Sequence, residues 1–416
     1  MNFFSYLYKT KITLKKRLYI SIFNLACVAA LVVLCACPRK PPKPLATPYI
    51  IQIPHGFPNI LNIPSYNPMT IEGIELGRHL FYEPRLSGRF NPDIPNSGMS
   101  CFSCHRQEHA FESGMAALNE NRRMVGLTGV ETPTAMLPLM NLVFQHGGYT
   151  WSGMIHSSNT NLGWEGENWK GEKYTVPARE PFNFRNLEAF VWTMIVLPHE
   201  IHGTIEESVR AIAAIPKYPP MFEAAFGTPE VTIERICKAI AQFVRTLISA
   251  DSKFDRFLQG KAELTDDEMA GWLLFETERA DCFHCHGGSG NLLFSTYEFS
   301  NNALEDEHHI HLHDRFSFTR NPRDVGRYKI PTLRNIALTA PYMHDGRFTT
   351  LEEVLEFYST GLKWSPTVDP NMKEVLRGGV QLSDRERRQL IAFLHTLTDS
   401  AFITNPRFSN PHKITP

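Results

Sequence analysis

The chain has 416 residues, 43% of them hydrophobic and 20% charged, an ordinary globular composition with room for two domains and a leader. That excludes a disordered body or one embedded in a membrane. Lys and Arg total 42 against 43 Asp and Glu, a formal net charge of -1, so no nucleic-acid partner and no polybasic membrane surface is expected.

Residues 1–36 read as an export leader. Lys9, Lys11, Lys15, Lys16 and Arg17 precede an apolar run from Leu18 to Leu34, broken mainly by Ser21 and Asn24. Its end, Leu34-Cys35-Ala36-Cys37, resembles a bacterial lipobox. That implies a lipid on Cys37 and a protein anchored on the periplasmic side of a bacterial membrane. An uncleaved anchor helix and plain cleavage stay open, because the run is near the lower length limit for a span; all three readings put the body outside the cytoplasm. The Pro- and Lys-rich stretch over 37–65 is expected to be a stiff tether.

Beyond it the apolar spacing is helical. Leu76, Leu80 and Phe81 share a face, as do Ile233, Ile236, Ile240, Phe243, Val244 and Leu247. Thr265 with Glu268, Thr350 with Glu353, and Ser383 with Glu386 carry the capping-box signature of a helix start. The last heads a helix bearing Leu390, Ile391, Phe393, Leu394 and Leu397. The expected fold is mainly α: two cytochrome c-like domains over 66–250 and 251–404, with 405–416 a tail.

Of the eight cysteines, Cys27, Cys35 and Cys37 belong to the leader, and Cys237 sits among apolar residues as a buried structural thiol. The other four form Cys101-Phe-Ser-Cys104-His105 and Cys282-Phe-His-Cys285-His286, both the C-x-x-C-H pattern of covalent haem attachment. Each thiol can form a thioether with a haem vinyl group, and the adjacent histidine then faces the iron. A zinc site would need other ligand spacing, and a thioredoxin-like dithiol a βαβ setting without the histidine. Two haem c groups are expected.

Three segments then resemble the bacterial diheme cytochrome c peroxidases, a family that includes the MauG-type maturation enzymes: Leu76 to Ser87, Ile240 to Ser249, and Ile330 to Gly346. The resemblance runs from about Ile74 to about Thr398. It implies that the N-terminal haem, ligated by His105, reacts with hydrogen peroxide, while the C-terminal haem on His286 stores and relays electrons. It places a distal glutamate at Glu200, with His199 and His202 beside it, and an inter-haem tryptophan at Trp151. Tyr358 falls where classical members have a methionine ligand and MauG-type members a tyrosine; Met343 is the second candidate for the same iron. The stretch 126–133 has no histidine where classical members carry a displaceable ligand, and Phe190 replaces the family's distal glutamine. An insertion, roughly 155–185, carries Trp164 and Trp169. Thr339 and Pro341 match carbonyl ligands of a bridging calcium ion, but the asparagine position is Ala135, with Asn141 only nearby. His308, His309, His311 and His313 read as a solvated or propionate-contacting loop. The implied activity is peroxide reduction with electrons from a periplasmic donor such as a small cytochrome c or a cupredoxin; a homodimer is left open. A MauG-like oxidase of a protein substrate and a non-catalytic diheme electron carrier are the alternatives.

Overall fold

The computed structural model describes residues 46–412 apart from 92, 94–96, 147, 154–163, 168–172, 177–185, 198–199, 202, 307 and 309–312, with backbone alone for 164–167, 173–176 and 186. Cys27, Cys35, Cys37, His199, His202, Trp169, His309, His311 and the Trp164 side chain therefore lie outside the described residues.

Helix α1 (Ile71–Phe81) starts where Thr70 accepts the Gly73 N–H, and it buries Leu76, Leu80 and Phe81. α2 (Cys101–Cys104) is a single turn carrying the first cysteine pair. A hairpin of β1 (Trp164–Glu167) and β2 (Lys173–Val176) follows, then α3 (Asn186–Val196), α4 (Ile205–Ala213), α5 (Tyr218–Phe226) and α6 (Ile233–Arg245). The second half runs through α7 (Lys253–Leu258), α8 (Asp266–Phe275), α9 (Phe283–His286), β3 (Phe299–Ser300), α10 (Arg315–Thr319), β4 (Tyr328–Lys329), α11 (Leu351–Thr360), α12 (Asp384–His395) and α13 (Ser400–Thr404). β3 and β4 pair antiparallel, Phe299 opposite Lys329. The fold is mainly helical, as expected. Capping boxes form at Thr265–Glu268, Thr350–Glu353 and Ser383–Glu386, and also at Ser252–Asp255, each cap worth about 1 kcal/mol.

One packing device occurs twice. In each half the helix ahead of the cysteine motif crosses the closing helix at a glycine. A Cβ on Gly77 of α1 would stand 1.9 Å from the Ala239 carbonyl oxygen of α6, and one on Gly271 of α8 stands 1.9 Å from that of Gln389 in α12. Only glycine lets backbones approach that closely. Phe243 and Phe393 then fill the space beside each crossing. Phe393 meets Phe254, Phe275 and Phe294 at centroid separations of 5.2, 5.3 and 6.2 Å, the tilted and edge-on geometry aromatic rings prefer. Each half also holds a buried bidentate ion pair: Arg245 with Glu188 at 2.7 and 3.0 Å, and Arg334 with Asp255 at 2.9 and 2.6 Å.

The halves interlock through the chain ends. Thr47 and Tyr49 pair with Ile71 and Met69 through backbone hydrogen bonds of 2.9 Å, and Ile51 and Phe57 are buried in the core of the second half. The expectation of a tether over 37–65 therefore fails for residues 47 onward, which are part of the packed body. At the other end Phe402 and Phe408 enter the core of the first half, and the Tyr82 hydroxyl donates to the Phe408 carbonyl at 2.6 Å. Residues 405–412, expected as a tail, are part of that packing. Asp399 ties the junction by accepting from the Ser249 hydroxyl and the N–H groups of Ala250 and Asp251.

Candidate functional site

None of the four motif cysteines is engaged in a disulfide, so all four remain available for thioether attachment. Cys101 and Cys104 lie one helical turn apart on α2, and the chain turns extended at His105. The buried His105 ring donates from Nδ1 to the Phe111 carbonyl at 2.8 Å, which leaves Nε2 as the ligating atom. Burial pushes this imidazole down to about 4, so the ring is neutral, the form that binds iron. The second motif repeats the arrangement. His286 Nδ1 lies 3.2 Å from the Pro331 carbonyl and 3.4 Å from that of Phe294, and burial again brings the ring to about 4.

Glu200 follows α3, its N–H donating to the Leu197 carbonyl at 3.0 Å. Burial pushes its carboxyl up to about 8. Burial also raises the Cys101 and Cys104 thiols, and the Glu200 charge adds to that rise in both, which places the carboxylate within electrostatic reach of the first attachment motif. The 126–133 stretch comes to the same place: Leu127 donates its N–H to the Glu200 carbonyl at 3.4 Å. The Leu127 side chain joins Met99, Cys104, Met124 and Met136 in one apolar cluster. A leucine, not an imidazole, is what this loop presents. Phe190 packs on Tyr149 at a centroid separation of 5.6 Å.

Trp151 stands where the two halves meet. Its Nε1 donates to the Ala135 carbonyl at 2.9 Å, and its own carbonyl accepts from Lys329 of β4 at 2.8 Å. The indole lies edge-on to His344 at 6.4 Å, and His344 stacks on Tyr328 at 3.6 Å. Three aromatic rings thus run together across the junction.

Tyr358, on the inner side of α11, belongs to the second site. Burial raises its hydroxyl to about 12, and Cys285 and Cys282 contribute to that rise. Asn302, which no spacing rule marks, donates from Nδ2 to the Tyr358 oxygen at 3.1 Å and reaches the Met343 sulfur at 3.6 Å. Both ligand candidates therefore share one neighbour. The buried Tyr297 hydroxyl, in the same core as Cys282, has no hydrogen-bond partner among the described residues; it is the kind of group a haem carboxylate satisfies. The residues at both motifs fit a covalently bound haem.

The calcium ligands fit less well. Ala135 offers no side-chain oxygen, and the Asn141 carboxamide is spent on Ser249, with 3.1 Å from Nδ2 to the Ser249 carbonyl and 3.0 Å from the Ser249 N–H to Oδ1. Only the carbonyls of Thr339 and Pro341 remain from the expected set. In the histidine cluster, His308 is exposed and His313 half-buried. Cys237 is fully buried, as expected of a structural thiol.

Two haem-attachment turns in interlocked helical halves, with a carboxyl at one and a tyrosine at the other, define a di-haem c-type protein. The family model for di-haem cytochrome c peroxidases matches residues 71–263. The methylamine utilization protein MauG of Methylorubrum extorquens is 31% identical over 351 residues, 83% of each chain. The cytochrome c551 peroxidase of Nitrosomonas europaea is 31% identical over 350 residues, 81% of this chain and 83% of that one. A solved MauG-like protein associated with microbial copper homeostasis superposes with a TM-score of 0.66 at 32% identity, over 88% of this chain and 100% of its own. The chain belongs to the di-haem cytochrome c peroxidase family.

Proposed function

We propose that this protein reduces hydrogen peroxide to water at the His105 site, drawing electrons through the His286 site from a small cytochrome c or a cupredoxin. The carrying observation is the Glu200 carboxyl, raised to about 8 by burial beside the first motif. A haem held by Cys101, Cys104 and His105 would supply the redox chemistry for oxygen–oxygen cleavage. Glu200 removes a proton from one peroxide oxygen and returns it to the departing one, a shuttle that needs a carboxyl near the operating pH. His105 Nε2 would hold the iron, its ring fixed by the Phe111 carbonyl. Leu127, whose N–H meets the Glu200 carbonyl, packs with Met124 and Met136 beside Cys104 of the first motif. Trp151 and its neighbours His344 and Tyr328 carry electrons between the halves.

The leader supports a setting outside the cytoplasm, with a lipid on Cys37 holding the body to the membrane. The Thr339 and Pro341 carbonyls would offer a calcium ion two of the six to eight oxygens it needs, with water supplying the rest. A second reading, oxidation of a protein substrate, is favoured by Tyr358 at the second site. The test is steady-state oxidation of a reduced small cytochrome by peroxide with the haem-loaded protein. Catalytic turnover supports the peroxidase; reaction with peroxide while every small donor is refused supports the second reading.

A further inference from the structure

We infer that Asn302 is a positioning residue for the second haem: its amide holds the Tyr358 oxygen as iron ligand and keeps the Met343 sulfur from replacing it. The inference rests on Tyr358 being the ligand. Its basis is that the two possible ligands of one iron converge on a single Nδ2, at 3.1 Å from the Tyr358 oxygen and 3.6 Å from Met343 Sδ. A thioether sulfur can only accept, so the nitrogen end of the amide faces the pair. A phenolate oxygen accepts this N–H and still has a lone pair for a metal. The thioether, whose lone pairs are weakly basic, is occupied by the same NH2 group.

The donor is held ready. Neighbouring Asn301 donates to Ser365 Oγ at 3.1 Å and Thr367 Oγ1 at 3.0 Å, and accepts the Ala303 N–H at 3.0 Å. The Asn301 carbonyl accepts from Asp369 at 3.0 Å, and that of Ala303 from Lys363 at 2.8 Å. The backbone on both sides of Asn302 is therefore pinned. Met343 has a φ of 71°, a left-handed conformation that a bulky side chain avoids and that persists only when its surroundings impose it. Its sulfur is thus placed by the turn beside the amide. Partners of this kind commonly set which ligand a metal keeps and how strongly.

The experiment uses the full haem-loaded chain with Asn302→Leu, the near-isosteric Asn302→Asp, the donor-retaining Asn302→Gln, and Tyr358→Phe. Ferric absorption, electron paramagnetic resonance and the midpoint potential of the second haem are read, with an unchanged first-haem spectrum as control for folding. Losing the donor in the Leu and Asp variants is expected to admit Met343. The charge-transfer band of methionine-ligated ferric haem appears, and the ferric–ferrous ratio at fixed potential moves roughly tenfold toward ferrous, about 59 mV for one electron. Asn302→Gln stays near the wild type, and Met343→Leu added to Asn302→Leu removes the new band. Wild-type spectra and potential in both Leu and Asp variants, while Tyr358→Phe alters the second haem, overturn the role of Asn302 alone. An unaltered second haem in Tyr358→Phe overturns tyrosine ligation, and the inference with it.

Discussion

Replacing Glu200 by glutamine keeps the size of the side chain and removes its basicity, and the expected loss depends on pH in a way the structure dictates. A positioned general base contributes about 10²–10⁴ in rate, or about 3–5 kcal/mol of barrier. Burial raises this carboxyl to about 8, so at pH 7 only about a tenth of it is ionised and able to take the peroxide proton. The wild-type rate therefore climbs as pH rises through 8, while the variant, with nothing to ionise there, stays flat. Their ratio grows by roughly tenfold from pH 7 to pH 9; positive charge on ferric haem lowers the carboxyl and shifts that rise toward neutral pH. Stopped-flow absorbance of the diferric proteins mixed with peroxide, across pH 5 to about 9.5, measures both limbs. A variant within threefold of the wild type, or a ratio that does not change with pH, refutes the proton-shuttle argument.

Three further perturbations test the frame around that site. Gly271→Ala drives a methyl into the Gln389 carbonyl at the α8–α12 crossing; a cost of about 2–3 kcal/mol is expected in denaturant midpoints, and a loss under 0.5 kcal/mol argues against the tight crossing. Asp255→Asn leaves Arg334 buried without its carboxylate, at a cost of about 3–5 kcal/mol. Burial opposes the Asp255 charge, but Arg334 and Ser252 hold its carboxyl below the usual range. Its stabilising contribution is therefore present above about pH 4 and lost as pH falls through the lowered folded-state value, so the variant's acid-unfolding curve lacks that component. Trp151→Phe removes the indole between the halves; rapid-mixing kinetics should show an unchanged first reaction with peroxide and donor oxidation slowed at least about tenfold, and equal slowing of both steps points to a structural defect instead.

Much of the site could be read in one dimension because its chemistry is local. Each C-x-x-C-H motif spans little more than a helical turn, so spacing alone brings two thiols and an imidazole to one haem. The helix starts at Thr265, Thr350 and Ser383 were legible for the same reason, since a capping box closes within four residues. Three features depend on contacts far apart in the chain and escaped. Ile51 and Phe57 look like parts of a Pro-rich linker until Arg334, remote in sequence, lies over the Phe57 ring at 4.7 Å. Phe402 and Phe408 are ordered by Phe111 of the other half. Asn302 carries no periodic or motif signal, and its place beside Tyr358 follows from the Asn301 clamp on Ser365 and Thr367. The calcium expectation weakened because Asn141, which lies near the expected ligand in sequence, is committed to Ser249.

We propose a division of labour in which the His105 site meets peroxide without prior reduction, no histidine standing in the 126–133 loop to block it, and the His286 site, with Tyr358 beside it, shares the oxidising equivalents. One equivalent of peroxide added to the fully ferric protein, followed by rapid-freeze electron paramagnetic resonance, tests it most directly. A high-spin first haem in the resting protein, and loss of both ferric signals within a single turnover, are expected. A first haem already low-spin through a methionine such as Met124, or no spectral change until one electron has been supplied, would contradict it.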